Sequence, residues 1–271
     1  MTEIFKRCDE TYLCGNWQEK YPNLLIGFTT RNGGYSQIPY GTLNMGLHVG
    51  DKKENVVSNR KKLANKISFP LKNWVLGEQV HGTKIKVVDQ EDSGKGTTRL
   101  EDAIKDVDGL ITNKKGVLCC AFFADCVPLY FYDPVTKYIG LAHAGWKGTV
   151  NRMAEKMVEE FIQIGADPKN ISVIIGPSIS KQYYEVDERV IRKISSEHIE
   201  KTVDRAGENR FFLDLKQLNA EILLQSGILR HNIDITNYCT FRDKDLFFSY
   251  RRDRGKTGRM LAFIGIKDDE T

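Results

Sequence analysis

Asp125-Cys126-Val127-Pro128-Leu129-Tyr130-Phe131-Tyr132-Asp133-Pro134-Val135-Thr136-Lys137-Tyr138-Ile139-Gly140-Leu141-Ala142-His143-Ala144-Gly145-Trp146 is the stretch on which the fold and the chemistry of this chain turn. Val127 to Tyr132 and Lys137 to Ala142 are strand-like, and Asp133-Pro134-Val135-Thr136 between them has turn chemistry. The two runs therefore read as an antiparallel hairpin. In the register that pairs Tyr132 with Lys137, Cys126 falls directly opposite His143 on the same face. Such partners have Cβ atoms about 4.5–5.5 Å apart. From that distance a thiolate and an imidazole either share one metal ion or form one nucleophile–base pair, and the residues leave both open. Taken singly, Cys126 would read as a small buried hydrophobe and His143 as a satisfied core histidine. Pro128 is an objection, because proline within a sheet suits an edge or a bulge.

Outward from the hairpin, His143 runs into Ala144-Gly145-Trp146-Lys147-Gly148-Thr149 and then a helix. Two glycines let the backbone approach a ligand closely, and a helix N-terminus offers free N–H groups to an anion. Val150, Met153, Met157 and Phe161 share one face of that helix, which Gly165-Ala166-Asp167-Pro168 ends. Leu24 to Thr29 reads as a strand followed by the turn Thr30-Arg31-Asn32-Gly33-Gly34. Trp74 to Val80, Lys84 to Val88, Gly109 to Thr112, Val117 to Phe123, Ile171 to Ile175, Leu246 to Tyr250 and Met260 to Ile266 are further strands. Asp51-Lys52-Lys53-Glu54 has the shape of a capping box before a helix carrying Val56, Leu63 and Ile67. Asp187 and Asp214 are N-cap candidates for two later helices, the second ending at Gly227. Asp89 to Asp106 is a polar loop. Strands and helices interleave without a βαβ repeat, so the class expected is α+β, one domain over residues 1–271 with mixed sheets flanked by helices.

The bulk numbers fit a soluble enzyme of this kind. A chain of 271 residues buries roughly three quarters of its unfolded surface and needs no metal to fold. Its 40 Lys and Arg against 36 Asp and Glu give a net charge of +4, too dispersed for a nucleic-acid stripe. The start, Met1-Thr2-Glu3-Ile4-Phe5-Lys6-Arg7, lacks an apolar core, and the run Val117 to Tyr132 is broken by Asp125 and too short to span a bilayer. The expected location is therefore cytoplasmic, with no membrane, nucleic-acid or obligate protein partner. The six cysteines Cys8, Cys14, Cys119, Cys120, Cys126 and Cys239 are expected to be reduced.

A catalytic zinc keeps three protein ligands and one open position. Of the five histidines, His198 and His231 sit in polar contexts and read as surface residues. His48 and His81 both lie in glycine-rich settings. Gly77-Glu78-Gln79-Val80-His81-Gly82 interrupts strand-like sequence, which favours His81 slightly over His48. Arg31 is a fork donor on a turn, suited to phosphate or carboxylate. Ser249 to Arg259 is a dense basic loop, with Arg251 in it, that would clamp an anion or simply be solvated.

Gly77 to Gly82, Ala124-Asp125-Cys126-Val127-Pro128 and Ala142 to Thr149 resemble the signatures of the YfiH-like family. Phe28 to Gly34, Leu43-Asn44-Met45-Gly46-Leu47-His48-Val49-Gly50 and the Ser249 to Arg259 loop match as well, so the resemblance runs from about Leu25 to the last strand. Members of this family carry the names laccase-like polyphenol oxidase and purine nucleoside phosphorylase. The resemblance implies zinc on His81, Cys126 and His143 within a cysteine-hydrolase-like fold. It also implies phosphorolysis of adenosine, inosine, guanosine and methylthioadenosine, with deamination of adenosine. Arg31 would then hold phosphate, Asn44 and His48 would contact the nucleoside or transfer a proton, Arg251 would contact the substrate, and Asp125 would serve as acid/base or orient a ligand. Three rivals stand beside this. One is a copper-dependent polyphenol oxidase, although five histidines are too few for a laccase cluster. Another is a Cys126–His143 hydrolase acting on a cell-wall precursor. The third is a structural zinc module, against which three ligands rather than four argue.

Overall fold

The computed structural model describes residues 3–268. Residues 269–271 lie outside the described residues, as do Met1 and Thr2, with which the targeting reading begins. Fifteen strands are described: β1 (Phe5–Arg7), β2 (Tyr12–Gly15), β3 (Leu24–Thr29), β4 (Trp74–Leu76), β5 (Ile85–Val87), β6 (Gly109–Thr112), β7 (Leu118–Phe123), β8 (Val127–Tyr132), β9 (Ile139–Ala144), β10 (Ser172–Ile175), β11 (Glu185–Asp187), β12 (Val203–Gly207), β13 (Arg210–Leu213), β14 (Ile233–Ile235) and β15 (Met260–Ile266). The α-helices are α1 (Trp17–Lys20), α2 (Lys53–Lys66), α3 (Trp146–Val150), α4 (Met153–Gln163), α5 (Glu188–Ile191), α6 (Ser196–Thr202) and α7 (Leu215–Gln225).

The strands form two six-stranded mixed sheets, β1-β2-β3-β15-β7-β4 and β14-β10-β8-β9-β6-β5, and a small sheet β11-β13-β12. The expected mixed-sheet architecture flanked by helices is what forms. Alternation along the strands explains the layering. On β7, Cys119, Ala121 and Phe123 face the second sheet, while Leu118, Cys120 and Phe122 face α2. On β8, Tyr130 and Tyr132 face the first sheet, while Val127, Leu129 and Phe131 face α4 and α7. The result is helix, sheet, sheet, helix, with one apolar core in the seam and one under each helical layer. Tyr130 is fully buried in the seam, and its hydroxyl donates to Gly27 C=O of β3 at 2.9 Å, joining the two sheets.

Several expectations need correction. The hairpin forms with its register displaced by two residues: Tyr132 pairs with Ile139, and Pro128, not Cys126, lies opposite His143. The turn is Pro134 to Lys137, closed by the Asp133 N–H on Tyr138 C=O, because Lys137 takes a left-handed conformation (φ 62°). A shift of two preserves the face, so Cys126 still projects with His143, from one step beyond β8 and opposite Gly145. Pro128 costs no bond in the β8–β9 ladder, since the His143 N–H points away from it to Asp108 C=O (2.8 Å).

The helix expected after Thr149 begins at Trp146 and is broken by Arg152 (φ 62°) before α4. Leu246 to Tyr250 is not a strand, and the strand from Trp74 ends at Leu76. Asp51 caps no helix; its side chain accepts instead from Lys52 N–H and the Asn44 amide. Asp187 and Asp214 do cap α5 and α7. Cys8 and Cys14 are joined as a disulfide across the β1–β2 hairpin, with Cα atoms 5.9 Å apart, whereas all six thiols were expected free. That hairpin places the two side chains diagonally within bridging reach. No helix of the described residues is long and apolar enough to cross a membrane.

Candidate metal centre

The link Ala124-Asp125-Cys126 carries the chain from β7 in the first sheet to β8 in the second, so Cys126 lies at the end of the seam. His143, near the end of β9, faces the same seam as Leu141. Asp108, one residue before β6, faces it as well. The turn Gln79 to Gly82 closes over them. Gln79 (φ 57°), His81 (φ 60°) and Asp125 (φ 88°) all adopt left-handed backbone conformations, an unfavourable state for non-glycine residues that persists where surroundings enforce it.

The surroundings here are two side chains. Asp108 accepts the backbone N–H groups of Val80 (3.0 Å), His81 (3.1 Å) and Gly82 (2.9 Å), and the Nδ1–H of His143 (2.8 Å). Gln79 pairs through its amide with both backbone groups of Phe122 (2.7 and 3.0 Å), fastening the turn to the end of β7. One buried carboxylate thus holds His81's backbone and His143's ring together.

The ligand atoms of His81, Cys126 and His143 all lie within 4.8 Å of one another, and the two imidazoles meet edge to face with centroids 4.8 Å apart. Among the described residues this is the one such group of three His, Cys, Asp or Glu side chains. It runs from exposed His81 through half-buried Cys126 to buried His143. With His143 Nδ1 given to Asp108, its Nε2 remains for a metal, the arrangement that fixes a ligating histidine's tautomer. Bonds of about 2.0–2.3 Å from a tetrahedral zinc to two nitrogens and one sulfur suit a donor triangle of this size. Two imidazoles and a thiolate also suit the chemistry of zinc or copper, so the residues present fit a metal ion.

The charges point the same way. Burial would raise the Cys126 thiol, but His143 and His81 outweigh it and bring it down to about 6, so the ligating thiolate is favoured. Burial would lower His143, but the Cys126 thiolate and Asp108 lift it to about 9. Asp108 would be raised by burial, yet His143 and the N–H groups of Gly82 and Val80 hold it below its ordinary range.

The triangle opens on a cavity of about 620 Å³, within the range usual for small-molecule sites. His48, Asp125 and Arg251 line it. His48 is pushed down to about 4 by burial, with Arg259 and Arg60 adding to the effect. Asp125 is buried, and its carboxylate accepts from Thr240 Oγ1 (2.6 Å), Ser249 Oγ (3.0 Å) and Arg251 N–H (2.7 Å). Burial raises its pKa against those bonds.

Arg31 and Asn44 are not brought into the cavity wall. The Arg31 guanidinium is taken by Gly41 C=O and Lys244 C=O and lies over Phe248. Asn44 is buried and accepts the N–H of Arg259 (2.9 Å). His198, expected at the surface, is buried on α6; His231 is exposed as expected. The helix that follows His143 is α3, only five residues long, with Gly145 as its N-cap. Sequence reasoning missed Asp108 and Arg259. Asp108 shows no signal, because a lone Asp before a strand gains meaning only through its four partners, while Arg259 was legible only as one cation in a basic loop.

A sequence model of the family described as multi-copper polyphenol oxidoreductase laccase matches residues 25–267. The chain belongs to this family. It is 42% identical over 264 residues to the purine nucleoside phosphorylase YlmD of Bacillus subtilis, covering 95% of each chain. It is also 42% identical to the purine nucleoside phosphorylase YlmD of Geobacillus stearothermophilus, covering the whole of both. The crystal structure of that Geobacillus YlmD superposes with a TM-score of 0.94 at 40% identity, over 98% of this chain and 100% of that one. The Neisseria meningitidis protein NMB0706 matches with a TM-score of 0.78 at 30% identity, over 91% of this chain and 95% of that one. The laccase-like family thus includes relatives named as phosphorylases, similar to this chain over nearly its whole length.

Proposed function

We propose that the protein is a zinc-dependent purine nucleoside phosphorylase, acting on adenosine, inosine, guanosine and methylthioadenosine, and that the same centre deaminates adenosine. The observation that carries the reading is the triangle of His81, Cys126 and His143, which has three ligands rather than four and opens on a cavity of nucleoside size. The names of the relatives support the substrate class. The proposal includes a single cytoplasmic, cysteine-hydrolase-like domain working on free nucleosides and inorganic phosphate.

Bound to the three ligands, zinc supplies a Lewis acid with one open coordination position. The remaining work belongs to the chain. In phosphorolysis a phosphate oxygen bonds to the anomeric carbon while the bond from that carbon to N9 breaks. The purine leaves with the electron pair and takes up a proton. His48, neutral at pH 7, is placed to exchange a hydrogen bond with the sugar or the base. Arg251, on the rim, attracts the phosphate. Asp125 has its lone pairs committed to Thr240, Ser249 and Arg251 and so holds the basic loop against the cavity. Arg31 and Asn44 support the walls from behind.

The test is incubation of metal-quantified protein with each nucleoside and phosphate, resolving free base, ribose 1-phosphate and ammonia. Base and ribose 1-phosphate are expected in equal amounts, and chelation is expected to abolish both. Zinc-loaded protein that turns over no nucleoside would overturn the proposal. Copper fits the same three ligands, but a multicopper oxidase would need further ligand clusters that the described residues do not form. A Cys126–His143 hydrolase would keep its activity after chelation.

A further inference from the structure

Lys147, Arg251 and Arg259 line the cavity, and among the described residues no carboxylate oxygen lies within 4.0 Å of their side-chain nitrogens. Arg259 is the most constrained of the three. Its backbone N–H donates to Asn44 Oδ1 (2.9 Å). Its Nη1 donates to Thr257 C=O (2.9 Å) and Gly258 C=O (3.1 Å), and its guanidinium carbon lies 5.6 Å from the centroid of the Tyr250 ring. Both Nη1 hydrogens are thereby used. Nε–H and the outer Nη2–H form the remaining edge, and among the described residues no group accepts from it. That edge is the planar two-pronged donor that matches an oxyanion. A guanidinium held largely out of water, with Cys126 and Asp125 acting on it only at a distance and no carboxylate paired to it, gains from a bound anion. The same Asn44 oxygen accepts Gly46 N–H (2.9 Å), so one amide fixes both Arg259 and the turn beneath it. A Cβ on Gly46 would meet Arg259 Cγ at 2.9 Å and His48 Cε1 at 3.2 Å, so the side chain is positioned by close backbone approach.

We infer that the Nε–Nη2 edge of Arg259 is the phosphate-binding fork of this cavity, facing the nucleoside across from the metal ligands. The inference rests on the proposed phosphorolysis for the identity of the anion. It replaces Arg31 in that role, whose guanidinium is spent on Gly41 and Lys244.

Calorimetric titration of inorganic phosphate into the zinc-loaded full chain tests it. Wild type is expected to bind phosphate, R259Q at least tenfold more weakly, and R259K between the two, since one charged bidentate contact is worth about 1.5–3 kcal/mol. In turnover, the KM for phosphate should rise in R259Q while the KM for nucleoside and the zinc content stay constant. G46A, which touches no substrate, should shift phosphate affinity in the same direction. Unchanged phosphate affinity in R259Q, or no phosphate binding by wild type, would overturn the inference. If R259Q does not fold, the comparison of R259K with wild type decides by the same readout. Phosphate bound through Arg259 without release of ribose 1-phosphate would sink the proposed function and leave this inference standing. Phosphorolysis with an unaltered phosphate KM in R259Q would do the reverse.

Discussion

Asp108 is the residue on which the metal triangle depends most, although it contributes no ligand. Its carboxylate collects three N–H groups of the turn that carries His81, and the ring of His143. Asp108→Asn removes the charge and one acceptor, so zinc affinity should fall by about 10–100-fold, the usual cost of losing such a partner. Competition against a chromophoric chelator reads this, and an unchanged affinity would refute the role. Gly145→Ala tests the triangle from the opposite side. Gly145 has φ −69°, which alanine adopts freely, but the added Cβ would sit 3.0 Å from both Cys126 Sγ and His81 Cδ2. Zinc affinity should drop while circular dichroism and melting of the metal-free chain stay close to wild type. A melting point that falls with no change in zinc affinity would show that Gly145 serves packing alone. Of the three candidate ligands, Cys126 and His143 were legible as a pair from the hairpin pattern, whereas His81 stood only slightly ahead of His48 until the family resemblance singled it out. Asp108, one of many acidic residues, acquires its role only when β6, β9 and the 79–82 turn converge.

At the scale of elements, the β8–β9 hairpin shows both what pattern reveals and where it stops. The strands and the face they share follow from apolar runs and a turn signal. The register does not, because it depended on which residue would enter the left-handed region. The chain chose Lys137, letting Asp133 accept from Val135 N–H, Thr136 N–H and the Thr136 hydroxyl. The displaced register spared the site, since a slip of two keeps side chains on their face where a slip of one would have buried Cys126 among the helices. A non-glycine residue in that conformation costs about 1–2 kcal/mol. Lys137→Gly should therefore stabilise the protein by up to about 1 kcal/mol in urea unfolding, once glycine's greater unfolded entropy is deducted. A destabilised Lys137→Gly would mean that the lysine side chain, not its backbone, matters at this turn.

For the whole molecule, the double-sheet core sets a response to alkali. Burial pushes the Cys119 thiol from an ordinary 9.0 up to about 12, and burial raises Cys120 and Tyr130 well above their usual values. Groups whose folded pKa is raised contribute stability that is complete below the unfolded pKa and lost as pH climbs towards the folded one. Lys216 acts in the opposite sense: burial lowers it to about 8, so its penalty on folding is relieved, and stability gained, as pH rises from about 8 to 10.5. Burial raises Tyr184 and Tyr132 as well, and these groups together outweigh Lys216, so stability should show a net decline that steepens from about pH 10 towards 12. Urea midpoints measured across that range check this, and Cys119→Ala should flatten the decline. A midpoint that rises steadily from pH 9 to 11 would mean that Lys216 dominates instead.

The candidate metal ligands hang from one sheet or the loops beside it, and Arg259 lines the cavity just before β15 of the other. The spacing between cation and metal is therefore gauged by the packing that clamps the sheets, in which Tyr130 Oη on Gly27 C=O is a single polar rivet among hydrocarbon. Removing that hydroxyl would let the two halves slide by fractions of an ångström. Two reactants would then be presented out of step, a kinetic defect arising from a ring that neither of them ever meets.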